Sequence, residues 1–409
     1  MGRNRIMGLA MAGVCAGLVS PALAQQDRVS SSEKGSLLIW SKVEVIKDGQ
    51  GNILRDTFIS LTNDFPTAVG FQMYYVGSRF NYEDRIDETW KVSDVGITLT
   101  QDQPIYFSAA TGLGTIGVSP FTVLEGGSSG FWRGMIYGWA VDADGEAVRH
   151  NHLAGHATIV DYDGMWAWEY NTFAFAARNT PAAGGSLSIG NAGDYVAAYS
   201  QLLLNFQAVY SNAWSARIPG SNPPMYTHNV VSNTEVTLHP VSADLRENSD
   251  ADAILTKAQY DVWNENEVKF SGAYKCVFCW NSTLLSDYVD PNHFFVNTLQ
   301  TNHGKARISG VAGPQCVRIT FDNDGNAVKQ DAVATALLGV AVRYLAIDEA
   351  SSTGGPEFNA AAGSNLIGMG YADAEILYAP LGGPPEAPAT PFNAVDRLLE
   401  RINVTGTRR

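Results

Sequence analysis

The segment GFWRGMIYGWAVDADGEAVRHNHLAGHATIVDYDGMWAWEYNTFAF, Gly130–Phe175, decides the fold class. It divides into three β-rich runs, Phe131–Val141, His150–Val160 and Trp166–Ala177, separated by Asp142-Ala-Asp-Gly145 and Asp161-Tyr-Asp-Gly164. Asp and Gly tolerate the backbone angles of tight turns, and Trp, Tyr, Val and Ile favour strands. In the third run Trp166, Trp168 and Tyr170 alternate with Ala167, Glu169 and Asn171. That period of two places rings on one face of a strand and small or polar groups on the other. The segment reads as three strands joined by turns.

The same pattern extends in both directions. Leu37–Ile46, Thr57–Thr62, Val69–Val76 and Ile97–Thr100 read as earlier strands. Glu235–Leu238, Ala258–Trp263, Val268–Trp280, Phe294–Leu299, Ala306–Gly310, Val317–Phe321 and Ala334–Ile347 read as later ones. Tyr195–Tyr210 suits a strand or a short helix. Ile218–Pro224 (IPGSNPP) continues neither, so this 218–224 linker separates a unit over 35–217 from one over 225–379. A Pro-rich linker, 380–391, leads to a short C-terminal helix and tail, 392–409, with Phe392, Val395, Leu399 and Ile402 on one face. Many short strands between turns predict an all-β protein of two tandem β-sandwich-like domains. Three signatures recur in order: Asp142–Val148 with Asp322–Val328, Leu153-x-Gly-x-Ala157 with Leu337-x-Gly-x-Ala341, and Glu169-Tyr-Asn171 with Glu357-Phe-Asn359. Strands running into Asn63 and Asn264 add an earlier echo, and together these point to a duplication.

Residues 1–24 have the form of a secretory signal. Arg3 and Arg5 precede the apolar run Ile6–Val19, and Ala22-Leu-Ala24 offers a small-x-small cleavage site before a loose 25–34 stretch. The expected location is therefore periplasmic or secreted, and no later apolar run reaches the ~18 residues of a membrane helix. The net charge of −14 becomes more negative on cleavage, because the signal holds two arginines and no acid. Such acidity argues against nucleic acid or an anionic membrane as partner. In an oxidising compartment Cys316 is expected to pair with Cys276 or Cys279, which face opposite sides of one strand.

Several groups invite a chemical reading. Gly126-Gly-Ser128-Ser-Gly130 matches the nucleophile-elbow pattern, but a strand follows it where that motif needs a helix. His150, His152 and His156 share a strand face, and the first and last stand ~20 Å apart. The candidate metal set is therefore His150 and His152 with Asp142 or Asp161. Zinc is also considered at Cys276-x-x-Cys279 with His293 and His303, and calcium at the Asp-rich turns, which lack the full loop with its distal Glu. Trp166, Trp168 and Tyr170 are either core rings or a stacking platform for a ligand. No carboxylate pair, phosphate loop or dinucleotide fingerprint stands out.

The runs Lys34–Val45 (KGSLLIWSKVEV), Asp56–Asp64 (DTFISLTND), His150–Asn171 and Val262–Trp280 resemble a family of uncharacterised exported bacterial proteins. The resemblance covers most of the mature chain. It implies a secreted, β-rich protein and carries no catalytic residues over. The expectation is an exported structural or binding protein of the envelope or extracellular space, non-catalytic and without a cofactor, its partner a carbohydrate or a protein. The alternative is a secreted hydrolase of an extracellular polymer with its site near Gly130–Phe175.

Overall fold

The computed structural model describes residues 28–81, 85–112, 114, 130–181, 187, 189–190, 194–212, 229–241, 254–288, 293–321, 326–348 and 360–369. The expected signal peptide, the serine of the GxSxG match, the 218–224 linker, the Asp322–Gly325 turn, Glu357–Asn359, the Pro-rich linker and the C-terminal helix lie outside them.

The first nine strands are β1 (Leu37–Lys47), β2 (Ile53–Asn63), β3 (Val69–Asn81), β4 (Arg85–Leu99), β5 (Pro104–Ser108), β6 (Gly130–Val141), β7 (Leu153–Asp161), β8 (Trp166–Asn171) and β9 (Phe173–Phe175). They form one antiparallel sheet in the order β4-β3-β6-β1-β2-β7-β8, with β5 on β2 and β9 on β1. β1 and β2 pair only beside their turn, Ile46 with Arg55 and Lys47 with Ile53. Beyond it β2 turns to β7 and β5, while β1 keeps β6 and β9. The sheet thus splits into two leaves that face each other. Between them lie Leu38 and Trp40 of β1, Ile59 and Leu61 of β2, Phe71 and Met73 of β3, and Ala157 and Ile159 of β7. Alternating apolar positions on both leaves produce this sandwich.

A bulge in β1 between Trp40 and Val43 changes which face the strand buries. Leu38 and Trp40 before it and Val43 and Val45 after it enter the same core. The extra residue reverses the parity, so Lys42 and Glu44 point away from that core.

The later strands are β10 (Gln201–Gln207), β11 (Tyr210–Asn212), β12 (Asn229–Val241), β13 (Leu255–Asn264), β14 (Lys269–Phe278), β15 (Asn281–Leu284), β16 (His303–Val311), β17 (Gly313–Phe321), β18 (Ala327–Ala332), β19 (Ala336–Asp348), β20 (Ala360–Asn365) and β21 (Ile367–Met369). One sheet runs β14-β13-β16-β10-β21, a second runs β11-β12-β19-β20 with β15 on β12, and β17-β18 is a separate hairpin. Leu202, Leu204, Tyr260, Val262 and Ile308 of the first sheet meet Val236, Leu238, Leu337 and Ala341 of the second. The undecided Tyr195–Tyr210 stretch is therefore a strand over most of its later half. Phe294–Leu299, expected as a strand, contains a one-turn helix, α1 (Val296–Leu299), ended by Gln300 in the left-handed conformation. Asn264 Nδ2 donates to the Leu299 carbonyl at 2.8 Å, so a side chain stabilises the turn.

β19 buries both faces. Leu337 and Ala341 enter the later core, and Val340, Val342 and Tyr344 enter the earlier one. Gly363 of β20 lies so close to Trp168 that a Cβ there would stand 1.8 Å from the indole. The two halves thus share packed surface. The proposed echoes have partial counterparts: Gly155 pairs with Leu61 and Ala157 with Ile59, while Gly339 pairs with Leu238 and Ala341 with Val236. Asn63 and Asn264 each accept the backbone N–H two residues on, from Phe65 and Asn266. The fold is all-β and antiparallel, and among the described residues no helix is long and apolar enough to cross a membrane.

Candidate functional site

The aromatic row of β8 faces inward. Trp166, Trp168 and Tyr170 are 9%, 5% and 3% exposed, and Ala167, Glu169 and Asn171 between them are exposed. A ligand platform needs open ring faces, and here protein covers them. Tyr344 packs edge-on against Trp166, and the Arg55 guanidinium lies 4.9 Å from the Trp166 ring centre. The Tyr170 hydroxyl accepts the Lys42 N–H at 2.9 Å and donates to the Lys42 carbonyl. It satisfies both backbone groups that the β1 bulge takes off the ladder. That is a structural role.

The metal candidates also serve the fold. His150 and His152 precede β7 rather than extending it, because a tight turn joins the His152 N–H to the His150 carbonyl at 2.7 Å. His150 Nε2 bonds Asn63 Oδ1 at 2.8 Å, and burial, with His152 beside it, lowers its pKa. His152 Nδ1 lies 3.3 Å from Asp64, which also pairs with Lys34. Asp142 Oδ1 accepts the N–H groups of Asp144 and Glu146. Asp161, at the other end of β7 from the histidine pair, accepts the Gly164 N–H and binds Arg55 at 2.6 Å. Among the described residues no three of His, Cys, Asp or Glu gather as a metal site. Cys276 is bonded to Cys316 across a Cα–Cα distance of 5.4 Å, which removes it from the zinc set with Cys279, His293 and His303. Cys279 follows β14 in the left-handed conformation and is buried. Of the two pairings considered for Cys316, the one with Cys276 forms.

Behind the bulge is a buried ionic cluster that sequence reading did not single out. Lys42 Nζ reaches Glu44 at 2.8 Å, Ser282 at 3.0 Å and Glu235 at 3.1 Å. Glu44 also binds Arg55 at 2.8 Å, and the Tyr344 hydroxyl donates to Glu235 at 2.8 Å. Burial pushes the Glu44 carboxyl up, but Lys42 and Arg55 outweigh it and hold the pKa down at about 2. The cluster has its charges matched and its ammonium fully buried, so it works as a joint between the halves.

The open surface lies on the opposite side of the same strands. On the leaf β5-β2-β7-β8, Phe58, Ser60, Tyr106, His156, Thr158, Glu169 and Asn171 point outward, as the registers Ser60 with Tyr106 and His156, and Thr158 with Phe58 and Glu169, require. The rings of Phe58 and Tyr106 stack within 5° of parallel, centres 5.5 Å apart. Tyr106 is 53% exposed, and Tyr162, after β7, is 50% exposed. Burial, Asp56 and Tyr162 raise the Tyr106 pKa, so its hydroxyl stays protonated. Asp56 lies beneath the turn after β5, accepting from Ser108 at 2.5 Å and from the Ala110 N–H at 2.9 Å. Burial raises its pKa. This face offers a flat aromatic pair beside an imidazole, hydroxyls, an amide and a carboxylate. The clue in the sequence was the parity of Asp56–Asn63, in which Phe58 falls in step with Ser60 and Thr62 rather than with Ile59 and Leu61.

A scan of the chain against protein-family models finds no match, and a search among curated proteins finds none either. Among solved structures, a crystal structure of tripeptidyl peptidase 2 aligns over 83% of this chain at 8% identity with a TM-score of 0.14. The chain spans only 29% of that protein's length, and so low a score supports no statement about fold or activity.

Proposed function

We propose that the protein is an exported, non-catalytic binding protein of the bacterial envelope or extracellular space. Its partner is a carbohydrate, bound on the outer face of β5-β2-β7-β8. The observation that carries this reading is the parallel Phe58–Tyr106 pair, with Tyr106 exposed and polar side chains in the neighbouring rows. Sugar rings present flat C–H surfaces that stack on such rings, while their hydroxyls bond to the flanking groups. The secretory form of residues 1–24 and the acidity of the chain support the location.

The test is retention of the full mature chain on a panel of insoluble polysaccharides, with soluble sugar release followed in parallel. Tyr106→Ala is expected to weaken retention about tenfold, the effect of losing one stacking contact of ~1–1.5 kcal/mol. Unchanged retention would remove this face from consideration. Sugar release abolished by Glu169→Gln would establish the alternative, a hydrolase of extracellular polymer.

A further inference from the structure

The sheet β14-β13-β16-β10-β21 has its own outward face, on the other half of the chain. Antiparallel register places Lys269, Trp263, Lys305 and Asn205 in one row across four strands. Asp261 and Arg307 stand opposite each other in the next row. Three cations crowd the partly exposed Trp263 ring: Lys305 Nζ lies 5.3 Å from its centre, Lys269 Nζ 5.4 Å and the Arg307 guanidinium 5.5 Å. Asp261 binds Lys269 at 3.1 Å and Arg307 at 2.5 Å, using both carboxylate oxygens. Lys305 is exposed and makes no ion pair among the described residues.

Beside this row opens a cleft of about 280 Å³, with Lys305 on its wall together with Asn205, Asn264, His303 and Arg343, and Phe206 at its base. Gly304 lets the Phe206 ring lie directly against the strand there, since a Cβ would meet that ring at 2.5 Å. The cleft's carboxylate, Glu265, is taken by His303 at 3.1 Å. Arg343 donates to the Asn205 carbonyl at 2.9 Å. Lys269, Lys305, Arg307 and Arg343 thus gather here against Asp261, Glu265 and the turn residue Glu267, on a chain whose net charge is −14. Like charges around one ring repel, so the arrangement favours an incoming anion.

We infer that this face is a second binding site, for an anionic saccharide whose ring carries a carboxylate or a sulfate. Lys305 takes the anion, the exposed edge of the Trp263 indole packs beside the sugar ring, and the cleft receives the adjoining residue of the chain. An acidic peptide fits less well. Extended peptides dock through main-chain bonds at a sheet edge, whereas Lys305 and Arg307 stand on the face of the interior strand β16, beside a small cleft. The site is independent of the Tyr106 face and would survive its loss.

The experiment is calorimetric titration of the full mature chain at low and moderate salt with polygalacturonate, dextran sulfate, neutral dextran and poly-glutamate. At least one of the two anionic glycans is expected to bind, and which one does identifies the anion. Both Lys305→Ala and Trp263→Ala should weaken that binding tenfold or more, and Tyr106→Ala should leave it unchanged. Lys305 is exposed, so its variant keeps the fold even if the Trp263 variant does not; circular dichroism checks both. The inference is overturned if neither anionic glycan binds, if Lys305→Ala has no effect, or if neutral dextran binds here equally well. It is also overturned if poly-glutamate binds as tightly with no dependence on Trp263, which would mark an acidic-peptide site.

Discussion

Lys42 has no exposed surface, and its ammonium is tolerable there because Glu44, Glu235 and Ser282 surround it. Trp280 adds an aromatic face 5.7 Å away and donates its indole N–H to the Ser41 carbonyl. Replacing Lys42 by Met would leave Glu44 and Glu235 buried beside each other with too little positive charge. Removing one member of such a set costs about 3–5 kcal/mol, so Lys42→Met should lower the urea midpoint clearly in equilibrium unfolding. None of this was legible in Ser41-Lys-Val-Glu-Val45. A charged residue at every second position of a strand reads as a solvent face, and only the bulge and the strands from the other half turn that face inward. The rings of β8 were legible to the extent that alternation put them on one face; which face is buried depends on what packs there.

At the scale of elements, local pattern predicts existence better than ends. The strand expected over Trp166–Ala177 starts at Trp166 but ends at Asn171 as β8, and Phe173–Phe175 passes to β1 as β9. The strand at β7 is expected from His150 but starts at Leu153, because the two histidines are held by Asn63 and Asp64, residues nearly ninety positions earlier. The hairpin β17-β18 shows the value of a covalent link. Its Val317, Ile319 and Val328 are exposed, while Cys316 and Ala332 pack with Leu255 at its base. The Cys276–Cys316 bond closes a loop of 40 residues. Replacing both cysteines by Ser should cost about 2–4 kcal/mol on the loop-entropy model. Hydrogen exchange should then rise first in the strands β17 and β18, before any other element responds.

At the scale of the molecule, the two halves meet through β1, β8, β12, β19 and β20. His239 of β12 is fully enclosed, with Nε2 bonded to Ser41 Oγ of β1 at 2.9 Å. Burial lowers its pKa from 6.5 to about 4. The unfolded chain therefore takes up this proton first as the pH drops. The contribution is complete above pH 6.5, declines through the interval, and is lost once the pH passes below about 4. The total is ~3 kcal/mol. Glu44 acts in a lower window, with its stabilisation lost only between about pH 4.5 and 2. His239→Gln should flatten the dependence of the urea midpoint on pH between 6.5 and 4 and leave the loss below 4.5 in place. Sequence could reveal the strands of both halves but not this junction, because the run Ala334–Ile347 reads as one strand without saying that its two faces belong to different cores.

The glycine contact between β20 and Trp168 has a companion in Asn365, which accepts the Asn171 N–H at 3.1 Å and donates to the Asn171 carbonyl at 2.7 Å. β8 ends the first sheet and β20 ends another, and strand ends of this kind are where separate molecules join into fibres. Here one amide side chain occupies hydrogen-bonding groups that a neighbouring molecule would otherwise claim. Each edge shields the other, so the junction that holds the halves together also keeps these two edges from taking a strand of another copy.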